Sequence, residues 1–386
     1  MAQLARVGRI AAGVIVATAM FEAVLRLVEA SPLWHVAPVP EVSLYGPDDA
    51  AGYRHRPNLH GIWLEEHRSL VETSSLGLRD RERSLARSSA PRAVVVGNSY
   101  VEALQVALPQ TAVAVAEQRL QPRWPGAEVV NLGLTGASAA VDVTRLQTIG
   151  ADLHADLALL LFPIRELWST TGGDDSSFVG YRPGTDGMVA LSHGFRASAG
   201  YRFRTSRAGE LFYWLLDHSA VVRVLNNRKN VGLFAEWPGA PRPRGEGPEA
   251  ADYCIAQSPE RELALWNEGK PDRAGGILAA LIRDLGAAAR ERPIIVLATE
   301  QNGQCRAADA RRRAVVQAMQ ARFAAAGLRF VDLDARMAEA VGADRVAGLY
   351  GFGAHAGAGH FNAEGNRVVG EILATVIGDA LATRDH

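Results

Sequence analysis

Lysine is almost absent from this chain: Lys229 and Lys270 are the only two among 386 residues, and arginine carries the rest of the positive charge. Basic and acidic side chains nearly cancel, 41 against 42, leaving a formal net charge of -1. No strong field is present to attract nucleic acid or an acidic polymer, and no nucleic-acid partner is expected. Arginine in place of lysine, with abundant alanine, reads as GC-rich coding bias rather than function. Cysteine is equally scarce. Cys254 and Cys305 have no metal-ligand spacing. In an exported domain they can pair and in the cytosol they stay thiols, so the sequence leaves pairing open. The histidines at 35, 55, 60, 67, 154, 193 and 218 follow no metal-binding pattern either, and no metal is expected. P-loop and dinucleotide fingerprints are missing, so no cofactor is expected. Internal repeats and long runs of one charge are also absent.

A long hydrophobic run occurs in one place. Ile10 to Phe21 is uncharged and continues through "EAVLRLV" to Val28. Arg6 and Arg9 precede it, which favours a cytoplasmic N-terminus and an extracytoplasmic main domain. Glu22 and Arg26, four apart, are placed to pair on one helix face at the outer membrane surface. The expectation is a single-pass anchor in the inner or cytoplasmic membrane. Two alternatives stay open: a signal peptide cleaved near Ala17-Thr18-Ala19, and an amphipathic helix packed on a soluble domain.

Residues 31–90 are rich in proline, glycine and charge, with strand-like runs at Gly61–Leu64 and Ser69–Thr73. They read as an extension wrapped on the main domain, residues 91–386. There the pattern alternates. Strands are expected at Ala93–Val96, Glu128–Asn131, Leu157–Phe162, Ile294–Ala298 and Arg329–Asp332. Helices are expected at Val101–Leu120, Ala139–Gly150, Gly275–Arg290, Ala308–Ala325 and Asn362–Ala382. Apolar strands between amphipathic helices imply a parallel sheet covered on both faces. Residues 169–270 break the rhythm with Gly, Pro and aromatics. They read as an insertion after the third strand, with one helix near Leu211–Asn226.

In such sheets ligands bind at the carboxyl ends of the strands. "AVVVGNSYVEALQV" ends its strand there on Asn98 and Ser99. Alone, Ser99 is a helix cap. Three other segments fall at corresponding places: "NLGLTGAS" (131–138), "FPIRELW" (162–168) and "GHFNAEGNRVVGEIL" (359–373). A serine nucleophile needs a base and donors for the oxyanion. His360 suits the first role; the amides of Ser99 and Gly133 suit the second.

Taken in this order, the blocks resemble those of the SGNH (GDSL-type) hydrolases, in the form found in membrane-anchored bacterial members. "VVVGNSYVEALQV" is similar to the block that carries the nucleophile, "NLGLTG" to the block whose glycine lines the oxyanion hole, and "GHFNAEGNRVV" to the block with the base. The extension "YRHRPNLHG…VETSSLGLRDRE" and the helix "FYWLLDHSAVVRVLNNR" add to the likeness. The resemblance implies a flavodoxin-like three-layer α/β/α fold with about five parallel strands, and Ser-His chemistry on esters. Ser99 and His360 would be catalytic, with Gly133, Arg165 and Asn98 around the oxyanion or substrate. Three positions depart from the family pattern. Asn98 replaces its Asp, a position that is mostly structural. Arg165 replaces the Asn of its third block; it would donate to the oxyanion, select an anionic substrate, or fill the pocket against an acid. Ala358 and Gly357 stand where the Asp orienting the histidine is expected. Two readings follow: an esterase or acyltransferase acting on O-acyl groups of cell-envelope glycans or small esters, or a pseudo-enzyme that binds glycans or envelope partners. Oligomeric state is left open.

Overall fold

The computed structural model describes residues 2–31, 44–63, 65–87, 89–164, 177–185, 187–226, 274–300 and 310–383. A long helix, α1 (Ala2–Glu29), comes first. Two hairpins follow, β1 (Tyr45–Asp48) with β2 (Gly52–His55), and β3 (His60–Trp63) with β4 (Ser69–Glu72). The main sheet begins with β5 (Arg92–Gly97), and the helical turn α2 (Ser99–Glu102) starts two residues after it. Then come α3 (Ala112–Leu120), β6 (Glu128–Gly133), α4 (Ala139–Gln147), α5 (Ile149–Asp152) and β7 (Leu157–Pro163). The insertion contributes a hairpin, β8 (Gly180–Pro183) with β9 (Val189–Ser192), and helices α6 (Ala199–Arg204), α7 (Arg207–His218) and α8 (Ala220–Asn226). The chain closes with α9 (Ala274–Ala288), β10 (Ile294–Thr299), α10 (Ala310–Ala325), β11 (Arg329–Asp332), α11 (Leu333–Val341) and α12 (Ala363–Ala382).

The five sheet strands run parallel in the order β11-β10-β7-β5-β6. Every strand position from Leu157 to Pro163 is buried. Leu157, Leu159 and Leu161 enter one core with α3, α11 and α12, while Ala158, Leu160 and Phe162 enter a second with α4, α9 and α10. The two-residue alternation of a strand feeds both layers, which is why the run had to be apolar throughout. The chain leaves β5 toward β6 on one side and β7 on the other, so β5 lies at the point where strand order reverses. Its carboxyl end therefore opens into the crevice where doubly wound folds bind ligands.

The extension closes the free edge of β6. Asp80 accepts the Asn131 amide at 2.8 Å, and Arg83 donates to the Val129 carbonyl at 2.8 Å. Edge groups that would otherwise be open to another strand are thus satisfied within the chain.

Three helix expectations are corrected. Ala139–Gly150 is two short helices, α4 and α5, parted at Thr148. Val101–Leu120 is not one helix. Ala103 turns left-handed (φ 56), Pro109 sits in a short 3₁₀ turn, and Thr111 restarts the helix by accepting the Ala114 amide. Proline lacks the donor and the space that a helix interior needs, and threonine supplies a cap. The helix expected at Leu211–Asn226 is two, α7 and α8, divided at an extended Ser219. Cys254, Cys305 and Arg165 lie outside the described residues.

Candidate active site

Ser99 is lifted above the sheet by close backbone packing. Gly97 and Gly133 are paired in register at the ends of β5 and β6. A Cβ on Gly133 would lie 2.2 Å from the Glu102 nitrogen and 2.6 Å from the Val101 carbonyl carbon. Only glycine lets α2 sit directly on the strand end. Asn98 caps α2 by accepting the Tyr100 amide at 3.1 Å, and Asn131 holds its far end by donating to the Val101 carbonyl at 2.8 Å. The acceptor oxygen that this cap uses is one that Asn and Asp both carry.

His360 arrives from the opposite end of the chain. The Tyr100 hydroxyl donates to the Gly359 carbonyl at 2.7 Å, and its ring lies 4.9 Å from the His360 ring. Phe361 bridges to Tyr350, and Asn362 caps α12 by accepting the Gly365 amide at 2.9 Å. With its backbone fixed on both sides, the imidazole points at Ser99. Ser99 Oγ and His360 Nε2 are 2.7 Å apart.

The acid absent from the last block comes from the extension. Glu66, in the turn between β3 and β4, has Oε1 at 2.8 Å from His360 Nδ1, and its Oε2 accepts the His360 amide at 3.0 Å. A carboxylate only accepts, so Nδ1 carries the proton and Nε2 is left to accept from the Ser99 hydroxyl. Burial pushes the Glu66 carboxyl up, but the hydrogen bonds and charge of His360 pull it further the other way, and its pKa lies below the usual 4.5. Glu66 thus gives His360 the carboxylate contact that Ala358 and Gly357 do not offer. Glu66 escaped the sequence reading because 294 residues separate it from its partner, and no spacing rule reaches so far. The one local signal is "LEEHR", two adjacent acids in a tight hairpin turn. Glu66 adopts φ 62 there, a conformation rare outside glycine and more often found where function demands it.

Gly359 makes room for this contact. Its φ is +88, and an added Cβ would lie 2.9 Å from Glu66 Oε2. Gly359→Ala is expected to push the carboxylate away from His360 and to slow about 100-fold any reaction that uses His360 as a base, within the range of general-base contributions. Unchanged turnover in a folded Gly359→Ala protein would show that the Glu66 contact is dispensable.

The role expected of Gly133 is corrected as well. Its amide already donates to Asn131 Oδ1 at 2.8 Å, and its open side is filled by α2. Three residues on, Gly136 is exposed, has φ +73, and its amide has no partner among the described residues. The Ser99 amide likewise has no partner among them. Glycine at both 133 and 136 within one short block made the two hard to tell apart before the fold separated packing from exposure.

Beneath Ser99 lies a buried polar cluster that sequence reading also missed. Glu102, on α2 with Ser99, is fully buried. It accepts from the Tyr45 hydroxyl at 2.8 Å, from His55 Nε2 and from the Thr135 hydroxyl. Tyr53 in turn donates to the Thr135 carbonyl at 2.8 Å. The first hairpin thus holds both α2 and the loop containing Gly136. No cluster of three or more His, Cys, Asp or Glu fit to hold a metal occurs among the described residues. The recess of about 350 Å³ lined by Arg81, Glu117, Gln121 and Gly126 includes none of the site residues.

No family model matches the chain. No curated protein matches it either. Solved structures do. A catalytic mutant of an acetylxylan esterase from Geobacillus stearothermophilus is 13% identical, covering 76% of this chain and 97% of its own, with TM-score 0.39. The lipase/acylhydrolase from Enterococcus faecalis is 14% identical over 74% and 95%, with TM-score 0.35. A lipolytic protein of the G-D-S-L family from Veillonella parvula is 11% identical over 73% and 95%, with TM-score 0.34.

Proposed function

We propose that this chain is a serine ester hydrolase of the SGNH type, held at a membrane by residues 6–28, with Ser99 as nucleophile, His360 as base and Glu66 as the acid that orients it. One observation carries the reading: an unbroken line from Glu66 through His360 to Ser99, with contacts of 2.8 and 2.7 Å. Isolated serine–histidine contacts are common; one whose histidine is also fixed through Nδ1 by an ionised carboxylate has the protonation pattern that general-base catalysis requires.

In the proposed reaction Ser99 Oγ attacks the ester carbonyl carbon while its proton passes to His360 Nε2. The imidazolium is stabilised by Glu66, which stays ionised. The carbonyl oxygen becomes an oxyanion held by the amides of Ser99 and Gly136; the first sits at a helix start, where donors point outward. Collapse breaks the bond to the leaving alcohol, which takes the proton from His360. Water then attacks the acyl-enzyme by the same route in reverse. A sugar hydroxyl in place of water gives acyl transfer by identical proton bookkeeping. O-acyl groups on cell-envelope glycans are the proposed substrate class, on the strength of the hydrophobic N-terminal helix and the sequence resemblance.

The span supports the membrane part of the proposal by length and composition. Arg6–Val28 is 23 residues long, and an 18-residue stretch of it has a mean hydropathy of 1.9 with none of that stretch buried in the protein. A segment of about 20 residues suffices to cross a bilayer. The pseudo-enzyme reading rests on the missing acid and on Arg165 in place of an Asn; Glu66 offers an acid for the first, and Arg165 lies outside the described residues.

A fluorophosphonate probe provides the direct test, read by intact mass on the full chain in detergent. One probe adduct per chain is expected, absent from Ser99→Ala. A folded wild-type protein that takes up no probe would sink the hydrolase reading and return the chain to a binding role.

A further inference from the structure

We infer that the exposed face of α7 and α8 is a docking surface for the lipid headgroup layer of the bilayer that α1 enters. The inference rests on the reading of residues 6–28 as a membrane span. Glu22 lies within that span, six residues before its last residue, Val28. With Arg26 it forms the first charged pair beyond the uncharged run Ile10–Phe21, and such charges mark where a span leaves the hydrocarbon for the headgroup layer. The same carboxylate accepts from the Ser219 hydroxyl at 2.9 Å and from the Ala220 and Val221 amides at 3.0 Å each. Arg26, paired with Glu22 at 2.7 Å as its spacing predicted, also donates to the His218 carbonyl. Whatever depth Glu22 occupies, the α7–α8 corner must share it.

That corner carries the side chains an interface favours. Arg207, Leu211, Trp214 and His218 recur at helical spacing along α7, and all are exposed. Leu211 is 57% and Trp214 53% exposed, and Leu225 on α8 is 65% exposed. Such apolar exposure is costly in water, whereas tryptophan and arginine together suit the headgroup region. Continuity with α1 selects the lipid surface over a second copy of the chain. A helix pinned at interfacial depth meets lipid before it meets another protein.

The surface is coupled to the site. Asp217 at the end of α7 pairs with Arg56, whose guanidinium also lies 5.1 Å over the Tyr213 ring. Arg56 directly follows His55, which bonds Glu102 beneath Ser99. A membrane-seated α7 therefore holds the extension, and with it the triad, in a fixed relation to the bilayer.

The test is quenching of Trp214 by lipid. The full chain is reconstituted in nanodiscs of phosphatidylcholine and phosphatidylglycerol, with or without bromine near the headgroup end of the acyl chains. The Trp214 component is taken as the difference between wild type and Trp214→Phe. At least twofold quenching of that component is expected. Flotation of the full chain with vesicles is scored in parallel. Flotation without quenching would overturn the docking surface and leave the anchor standing. Failure to float would overturn both. Blue-shifted Trp214 emission unaffected by bromine, together with a dimer in sedimentation, would assign the face to a second copy instead.

Discussion

Glu66→Gln is expected to lower kcat/KM for an activated ester about 10⁴-fold, against about 10⁶-fold for Ser99→Ala or His360→Ala. Glutamine keeps the size of the side chain but loses its charge, and its amide can donate to Nδ1, favouring the wrong tautomer. The developing imidazolium then has no counter-charge. Because the three residues act as a unit, Ser99→Ala combined with Glu66→Gln should be no slower than Ser99→Ala alone. Steady-state kinetics on the full chain would decide it, and a Glu66→Gln protein within tenfold of wild type would falsify the role of Glu66. A pH series supplies a second check. Burial raises the pKa of Glu66, but the hydrogen bonds and charge of His360 outweigh it and hold the folded-state pKa of Glu66 below the ordinary 4.5. Its contribution to stability is therefore fully present above that value and is lost as pH falls through the lowered one. Wild type and variant should differ in unfolding midpoint at neutral pH and converge in acid.

Glu102→Ala is expected to cost about 3–5 kcal/mol of folding stability, the usual consequence of removing one partner from a buried charged pair. The reason lies in what remains. His55 is completely buried, and its Nδ1 has no partner among the described residues. Without Glu102, its Nε2, the Tyr45 hydroxyl and the Thr135 hydroxyl all lose an acceptor in a place water does not reach. Burial pushes the Glu102 carboxyl up, but the charge of His55 and the hydrogen bonds from His55, Thr135 and Tyr45 pull it down further, leaving it below its ordinary value. The carboxylate's contribution is thus present above about pH 4.5 and is lost as the solution is acidified through the lowered value. Denaturant titration at neutral pH measures the cost. Loss of less than about 1 kcal/mol would show that water or a rearranged side chain replaces the acceptor. Because Glu102 shares α2 with Ser99, the probe reaction of the surviving folded protein should slow as well.

How far the sequence reached can be judged residue by residue. "LALLLFP" identified a strand buried on both faces, because a strand shows its two faces in alternate residues and both were apolar. The other sheet strands were located as short runs between helical patterns, including β11, which is only part-buried, and the parallel arrangement followed from the helices between them. Val101–Leu120 misled because its apolar spacing suits one helix, while Ala103, Pro109 and Thr111 divide it. Ser99 and His360 were legible because each sits in a short block with its own local logic, a glycine-flanked strand end and a capped helix start. The spacing of Glu22 and Arg26 likewise predicted their pairing.

What the sequence determined by itself was therefore whatever rests on neighbours along the chain: the strands, most helices, the long apolar helix, and the places of Ser99 after β5 and His360 before α12. Tertiary structure alone decided what depends on distant segments meeting. It brought Glu66 from a hairpin turn to His360, set His55 beneath α2, and tied Glu22 to the start of α8. It also separated Gly133, whose missing Cβ makes room for a backbone, from Gly136, whose amide is open. Hydrogen bonds and close packing are selected by position in space, and a chain folded over 294 residues of separation leaves no periodicity from which such a contact can be read.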